Sequence, residues 1–347
     1  MNNIIRVIVV DDSALVRSVL AQGLSKDPEI NVVDVASDPY EARDKILQHR
    51  PDVLTLDVEM PRMNGVEFLK RLMPQYPIPV LMVSSLTEHG KQITMAALEA
   101  GAVDFVTKPS ANHGVGLAGM LEELQHKVKV VSGANVSRWR DAHLGRRHHS
   151  HCLVTAARKI IAIGASTGGT EAIRYILDRL PVNSPGIVVV QHMPAGFTKM
   201  FAERLNDQCP LLVKEATSGD QILPGQALIA PGDQHMTVIK SGNAYLVDCS
   251  PGDKVCGHCP SVEVLFNSVA LSAGADAIGI VLTGMGHDGA QGLLAMRQAG
   301  AQTLVQDKQT SVVYGMPRVA YEIGAAEKRL PISTIPYEIT GYLSESN

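Results

Sequence analysis

Ser166 lies in the run Gly164-Ala165-Ser166-Thr167-Gly168, a G-x-S-x-G arrangement that can present a nucleophilic hydroxyl on a sharp turn. A serine hydroxyl attacks an acyl carbon only when a base takes its proton and donors hold the oxyanion that forms. His192, in Gln191-His192-Met193-Pro194, is the best-placed base, and Asp288, in Gly284-Met285-Gly286-His287-Asp288-Gly289, is a carboxylate able to orient it. His287 and His235 compete for the role of base, although His287 adjoins Asp288 and sequence neighbours seldom face each other. The N-terminal part carries a different chemistry. Asp11, Asp12 and Asp57 would repel one another if they met without a cation, and their hard oxygen atoms suit Mg²⁺. Ser84 and Lys108 could add a hydroxyl and a positive charge. That set suits phosphoryl transfer onto Asp57, with the metal and Lys108 neutralising the phosphoryl oxygens and Ser84 bonding one of them.

For this chemistry the residues must lie at the ends of buried strands. Ile5 to Val10, Val53 to Leu56, Val80 to Val83 and Phe105 to Thr107 read as strands, with helical patterns at Ala14–Leu24, Val66–Met73, Lys91–Ala100 and Leu117–Val128. Such alternation predicts a parallel sheet covered on both faces. Asp11, Asp12, Asp57, Ser84 and Lys108 each follow a strand, where α/β sheets gather their ligands. A second series predicts strands at Ile160–Ile163, Ile187–Val190, Ala277–Leu282 and Thr303–Val305, and helices at Thr170–Leu180 and Gly292–Ala299. It puts Ser166, His192 and Asp288 at one sheet edge, with Ser166 beside a helix N-terminus whose free N–H groups favour an oxyanion. Residues 226–248 read as short antiparallel strands, turned at Pro231-Gly232 and Ser241-Gly242. These elements predict an α/β chain of three parts: a domain over 1–128, a linker over 129–157 and a second domain over 158–347.

Hydrophobic residues at 45% and charged residues at 19% support a core in each half, and a net charge of −4 argues against a nucleic-acid partner. No apolar run is long enough to cross a bilayer, no signal peptide is evident, and five irregularly spaced cysteines do not suggest a disulfide framework. The expected compartment is the cytoplasm. Single residues also have bland roles: Ser166 could cap the following helix, His192 could be a satisfied strand-end histidine, and Asp288 could be a loop or cap residue. Gly164, Gly168 and Gly169 faintly suggest a dinucleotide loop, but G-x-G-x-x-G is absent. Cys256-Gly257-His258-Cys259, with Cys249, could hold a metal or a redox dithiol, although its spacing fits no structural zinc pattern. His148, His149, His151 and Cys152 in the linker are further possible ligands.

The segments VVDDSALVRSVL, LDVEMPRMNG, MVSS and TKP resemble the receiver domains of two-component response regulators. The segments IGASTGGTEAI, VVVQHMPAGFT, IAPGDQHM, PSVEVLF, VLTGMGHDGAQGL and YGMPRVA resemble the catalytic domain of chemotaxis protein-glutamate methylesterases, the CheB family. The resemblance implies a flavodoxin-like (CheY-like) receiver domain followed by a doubly wound, mainly parallel α/β methylesterase domain. It implies that Asp57 takes a phosphoryl group from a histidine kinase, that the Glu59 backbone carbonyl helps hold Mg²⁺, and that Ser84 and Phe105 form a switch pair. For the second domain it implies hydrolysis of glutamate γ-methyl esters on chemoreceptors with release of methanol, and deamidation of receptor glutamines, with no cofactor for that chemistry. Ser166, His192 and Asp288 match the family's triad, Thr167 stands beside the nucleophile, and the Met285 N–H falls in the oxyanion hole. The family commonly has an Arg where this chain has Cys259, which bears on substrate affinity. A receiver joined to a hydrolase is expected to restrain it until Asp57 is phosphorylated. Two other functions fit the same sequence less well: a response regulator whose output domain only binds DNA or protein, though no helix-turn-helix is evident, and an esterase or amidase for another substrate.

Overall fold

The computed structural model describes residues 4–109, 116–137 and 159–344, and the chain divides into two compact units, Met1–Leu144 and Gly145–Asn347. The histidines and Cys152 named in the linker lie outside the described residues.

The first unit alternates β1 (Ile5–Val10), α1 (Ala14–Leu24), β2 (Ile30–Ala36), α2 (Pro39–His49), β3 (Val53–Asp57), α3 (Gly65–Gln75), β4 (Val80–Ser84), α4 (Glu88–Glu99), β5 (Asp104–Thr107) and α5 (Leu117–Ser132). Its strands form one parallel sheet in the order β2-β1-β3-β4-β5. β3 and β4 are buried at every residue, as a strand covered on both faces must be. Side-chain caps start four of these five helices: Ser13 accepts from the Val16 N–H, Asp38 from Tyr40 and Glu41, Asn64 from Glu67, and Thr87 from Gly90. The sequence reading missed β2 and α2. β2 is a half-exposed edge strand carrying Asn31 and Asp34, so its apolar run is broken. α5 continues past residue 128 to Ser132, into the stretch read as linker.

The second unit contains β6 (Ile160–Ala165), α6 (Gly169–Leu177), β7 (Gly186–Gln191), α7 (Phe197–Gln208), β8 (Leu212–Glu215), β9 (Gln226–Ile229), β10 (His235–Ser241), β11 (Ala244–Ser250), α8 (Val262–Ser272), β12 (Ala277–Val281), α9 (Ala290–Gln298), β13 (Gln302–Gln306), α10 (Met316–Glu322), β14 (Lys328–Leu330) and α11 (Ile335–Ser344). Seven strands form a wholly parallel sheet in the order β14-β13-β12-β6-β7-β9-β8. The reading of 226–248 as antiparallel strands needs correction. β9 pairs in parallel with β7 and β8, and only β10 and β11 form an antiparallel hairpin, outside the main sheet. The chain leaves the sheet at Pro231-Gly232 rather than folding back within it. The side chains of Val262, Phe266 and Leu293 are fully buried, which seats α8 and α9 on the sheet.

The strand order makes β6 and β12 the switch point. From β6 the chain winds to β7 on one side, and from β12 to β13 on the other. Crossovers that depart in opposite directions leave a crevice beyond the carboxyl ends of these two strands.

Candidate active site

That crevice receives the three residues singled out in the second unit. Ser166 follows β6 directly, His192 follows β7, and Asp288 closes the loop after β12. The β6–β7 register pairs Ala165 with Gln191, and the His192 N–H donates to the Ala165 carbonyl at 3.1 Å, so the next residues, Ser166 and His192, stand abreast. The Ser166 N–H donates to the Thr283 carbonyl at 3.1 Å, which ties the Ser166 turn to the loop after β12.

Ser166 does not cap α6. Gly168 occupies that position at φ +76°, a left-handed conformation that favours glycine, and no side chain caps the helix. The Ser166 hydroxyl makes no hydrogen bond among the described residues, and its carbonyl accepts from the Gly169 N–H at 2.7 Å and from Gln191 Nε2 at 3.0 Å. Gly284 abuts Ser166: a Cβ there would stand 2.7 Å from Ser166 Cβ and 2.4 Å from Met316 Sδ. The next residue, Met285, is exposed, and its N–H has no hydrogen-bond partner among the described residues. Thr167 is buried, and its carbonyl accepts from Thr283 Oγ1 at 3.0 Å.

His192 Nε2 lies 2.8 Å from Asp288 Oδ2, and both side chains are nearly inaccessible to water. His192 Nδ1 is buried with no hydrogen-bond partner among the described residues. Asp288 does more than face a histidine. Its Oδ1 accepts from Ser261 Oγ at 2.7 Å and the Glu263 N–H at 2.9 Å, and its Oδ2 accepts from the Val262 N–H at 2.8 Å. The carboxylate therefore serves as the N-terminal cap of α8 from a distant part of the chain, while Ser261, the residue before the helix, bonds to it rather than to the helix. Burial pushes the Asp288 carboxyl up, but His192, Ser261 and the Glu263 N–H outweigh it and hold the group below the usual carboxylate range.

The structure thus joins His192 to Asp288 and sets Ser166 abreast of His192, but Ser166 and His192 share no hydrogen bond in this conformation. Looseness of that kind is common before a substrate is bound. Neither rival base fits. His235 uses both ring nitrogens on the backbone, with Nε2 2.8 Å from the Asp253 carbonyl and Nδ1 accepting from the Ser261 N–H at 3.3 Å. His287 is exposed, and it points no ring nitrogen at a hydrogen-bond partner among the described residues.

The C-x-x-C segment is a hairpin. Val255 and His258 exchange both backbone hydrogen bonds at 3.0 Å around Cys256 (φ 52°) and Gly257 (φ 84°). The His258 ring stacks on His192, with centroids 3.7 Å apart and planes 12° apart. Cys209, Cys249, Cys256 and Cys259 are free thiols. Burial, with the charges of Asp288 and Glu263, pushes Cys256 up, burial raises Cys259, and burial with nearby carboxylates takes Cys249 to about 11. Reactive and ligating thiols are shifted the other way. Among the described residues these side chains form no metal-ligating cluster.

In the first unit, Asp11, Asp12 and Asp57 offer ligand oxygens within 4.8 Å of one another at the carboxyl edge of β1 and β3. Lys108 Nζ reaches Asp11 Oδ2 at 2.9 Å and Asp57 Oδ1 at 3.0 Å. Asp57 also accepts from the Val58 N–H at 2.7 Å. Burial, reinforced by the charge of Asp11, raises the Asp57 carboxyl despite Lys108. The two carboxylates more than offset the effect of burial on Lys108, which stays above the ordinary lysine value. Three carboxylates against a single ammonium form a hard, electron-rich donor set that fits a divalent cation such as Mg²⁺. Glu59 is exposed just beyond Asp57. Ser84 is fully buried, donates towards the Gly90 carbonyl at 3.3 Å and takes a hydrogen bond from Thr94 Oγ1, so it faces α4. Phe105 is buried on β5, with Lys127 Nζ 5.4 Å from its ring centroid.

Several positioning residues were not seen in the sequence. Gln191 was noted only as the residue before His192, yet its Nε2 donates to the carbonyls of both Ser166 and His192. Gln306 Oε1 accepts from the Thr283 N–H at 2.9 Å, steadying the loop that holds Asp288. Ser261 carried the one usable signal, a serine just before an apolar helical run.

The family model for the CheB methylesterase matches residues 161–339, and that for the response regulator receiver domain matches residues 7–118. A protein-glutamate methylesterase/protein-glutamine glutaminase of Syntrophotalea carbinolica is 58% identical over 98% of this chain and 98% of its own length. A protein of Pseudomonas aeruginosa, protein-glutamate methylesterase/protein-glutamine glutaminase 2, is 53% identical over 95% of each. The crystal structure of the Thermotoga maritima CheB methylesterase catalytic domain is 40% identical, with a TM-score of 0.51, and covers 52% of this chain and 96% of its own.

Proposed function

The chain belongs to the CheB methylesterase family and carries a response regulator receiver domain, and from that premise we propose a protein-glutamate methylesterase and glutaminase driven by Ser166, His192 and Asp288 and raised in activity by phosphorylation of Asp57. The observation that carries the reading is the buried His192–Asp288 pair at the switch point of the sheet, with one imidazole nitrogen engaged and the other unspent beside the nucleophile's strand.

Since Nε2 donates to Asp288, Nδ1 is the nitrogen left to act as base. It takes the Ser166 proton as Oγ attacks the γ-carbonyl of a methylated glutamate. The N–H groups at the start of α6 and the unpaired Met285 N–H are placed to receive the oxyanion, one such donor being worth about 3 kcal/mol of barrier. Asp288 stabilises the imidazolium that forms. His192 then returns its proton to the leaving group, so that methanol departs from an ester or ammonia from a glutamine amide, and a water repeats the sequence on the acyl-enzyme. Substrates of this class are carried by chemoreceptors, encountered in the cytoplasm.

Asp11, Asp12, Asp57 and the Glu59 carbonyl are the groups that would hold Mg²⁺, which supplies charge neutralisation for phosphoryl transfer from a histidine kinase. Asp57 is the acceptor, and Lys108 is placed to stay with the added charge. Ser84, now bonded towards α4, would have to turn to reach a phosphoryl oxygen, and Phe105 is the aromatic partner of that switch.

The test is methanol release from methylated receptor fragments, with and without acetyl phosphate and Mg²⁺. Wild type should release methanol faster with the phosphodonor, Asp57→Ala should lose only the stimulation, and Ser166→Ala should be inactive at every condition. A Ser166→Ala protein that still releases methanol would overturn the assignment of the nucleophile.

A further inference from the structure

The bond from Nε2 to Asp288 fixes one corner of the His192 ring. A ring held at one atom still swings about the line of that bond, and a swing of this kind carries Nδ1 away from the serine. What occupies the face of the ring is His258, flat against it at 3.7 Å and 12°. His258 is itself held at both ends of its peptide unit, because its N–H and carbonyl pair with those of Val255 across a two-residue turn. Both turn residues are left-handed, as a tight hairpin turn of this hand requires. Cys256 and Gly257 stand exposed at its tip, while His258 is half-buried against the catalytic imidazole. The hairpin thus carries one aromatic ring into the crevice and leaves its tip in solvent.

We propose that His258 is a positioning residue for the hydrolysis, a flat stop that fixes the plane of His192 while Asp288 fixes its edge. The inference rests on the assignment of His192 as the base. An aromatic face is also a favourable neighbour for the imidazolium formed when Ser166 attacks. Nothing in this role requires the His258 nitrogens to exchange protons with substrate; what it requires is a planar ring at stacking distance.

The experiment compares wild type, His258→Ala, His258→Phe and Ser166→Ala in the full-length chain, measuring kcat and KM for methanol release with thermal unfolding alongside. Loss of orientation at the base should lower kcat about tenfold or more in His258→Ala while KM changes by less than about twofold. His258→Phe keeps a flat ring without ring nitrogens and should recover most of that loss. A His258→Ala protein within about twofold of wild-type kcat, or a His258→Phe protein no better than His258→Ala, overturns the inference. If His258→Ala unfolds early, the Phe variant still decides, since it restores the stack. Ser166→Ala separates the two levels: an active Ser166→Ala removes the hydrolytic assignment, whereas an inactive one beside a fully active His258→Ala removes only the stop.

Discussion

Replacing Asp288 with alanine should disable the enzyme and loosen its fold together, and the second effect follows only from the structure. The substitution takes the acceptor from His192 Nε2 and strands the Val262 and Glu263 N–H groups and the Ser261 hydroxyl at the start of α8. Each stranded main-chain donor costs about 1–3 kcal/mol, partly relieved by water entering the space, so a total of about 3 kcal/mol is expected. For a domain of this size that is a fall of about 6–12 °C in Tm. Loss of the orienting carboxylate should cost about 10⁴ in kcat. Asp288→Asn should fall between. Whichever way its amide turns, the NH₂ faces one of the two main-chain N–H groups, and only with its oxygen towards Val262 does His192 keep its proton on Nε2. The pH dependence has a defined sign. The folded carboxyl sits below its ordinary value, so its stabilisation is present above about pH 4 and is lost as pH falls through the lowered value. The gap in Tm between wild type and Asp288→Ala should therefore close in acid. Ser166→Ala, which removes a hydroxyl with no partner among the described residues, is the control that loses activity with a Tm change worth less than about 1 kcal/mol. Calorimetric unfolding beside methanol release reads both. An Asp288→Ala protein as stable as wild type at neutral pH would refute the claim that this carboxylate caps α8.

Gly284→Ala should abolish ester hydrolysis and leave phosphorylation of Asp57 intact, because the added methyl meets Ser166 Cβ and Met316 Sδ well inside contact distance; methanol release and phosphoryl incorporation measured on one preparation check it. Gln191→Ala should cost about 1–2 kcal/mol in thermal unfolding and lower kcat more than it changes KM, since one buried amide serves the carbonyls of both Ser166 and His192. Adding Mg²⁺ should raise the Tm of the receiver transition, by about 2.7 kcal/mol of stabilisation at a hundredfold excess over Kd, and Asp11→Ala should remove most of that gain.

What could be read from the sequence was what lies close along the chain. Ser166 and Asp57 each follow an apolar run directly and His192 follows one after a single glutamine, so the pattern of apolar residues alone puts them at a sheet edge. The partners of Asp288 were not legible in this way, because α8 comes 26 residues earlier in the chain and its cap is supplied across that gap. The ordinary capping rule would choose Ser261, which here bonds to the carboxylate instead. β9 was misread because Pro231-Gly232 resembles a hairpin turn; its unbroken apolar Ala-Leu-Ile, buried throughout, was the better guide to a covered parallel strand. β2 escaped because Asn31 and Asp34 interrupt its pattern on an exposed edge. The stack of His258 on His192 had no sequence signal, since two residues 66 positions apart are brought face to face only by the hairpin that carries one of them.

Under the proposed mechanism the nitrogen left for proton transfer is Nδ1, the one nearer the main chain. Nδ1 is bonded to the ring carbon that carries the side chain, so it lies only two covalent bonds from Cβ and close to the strand end. Its reach is set first by where the backbone of β7 ends and then by the orientation of the ring, which Asp288 and His258 hold. Neighbouring strands run about 4.8 Å apart, so the spacing of β6 and β7 becomes the gauge for the catalytic step. A slip of one residue between these two strands would shift His192 by about 3.3 Å along Ser166 and turn its side chain to the other face of the sheet, so the chemistry constrains the pairing of β6 with β7 along the whole seam.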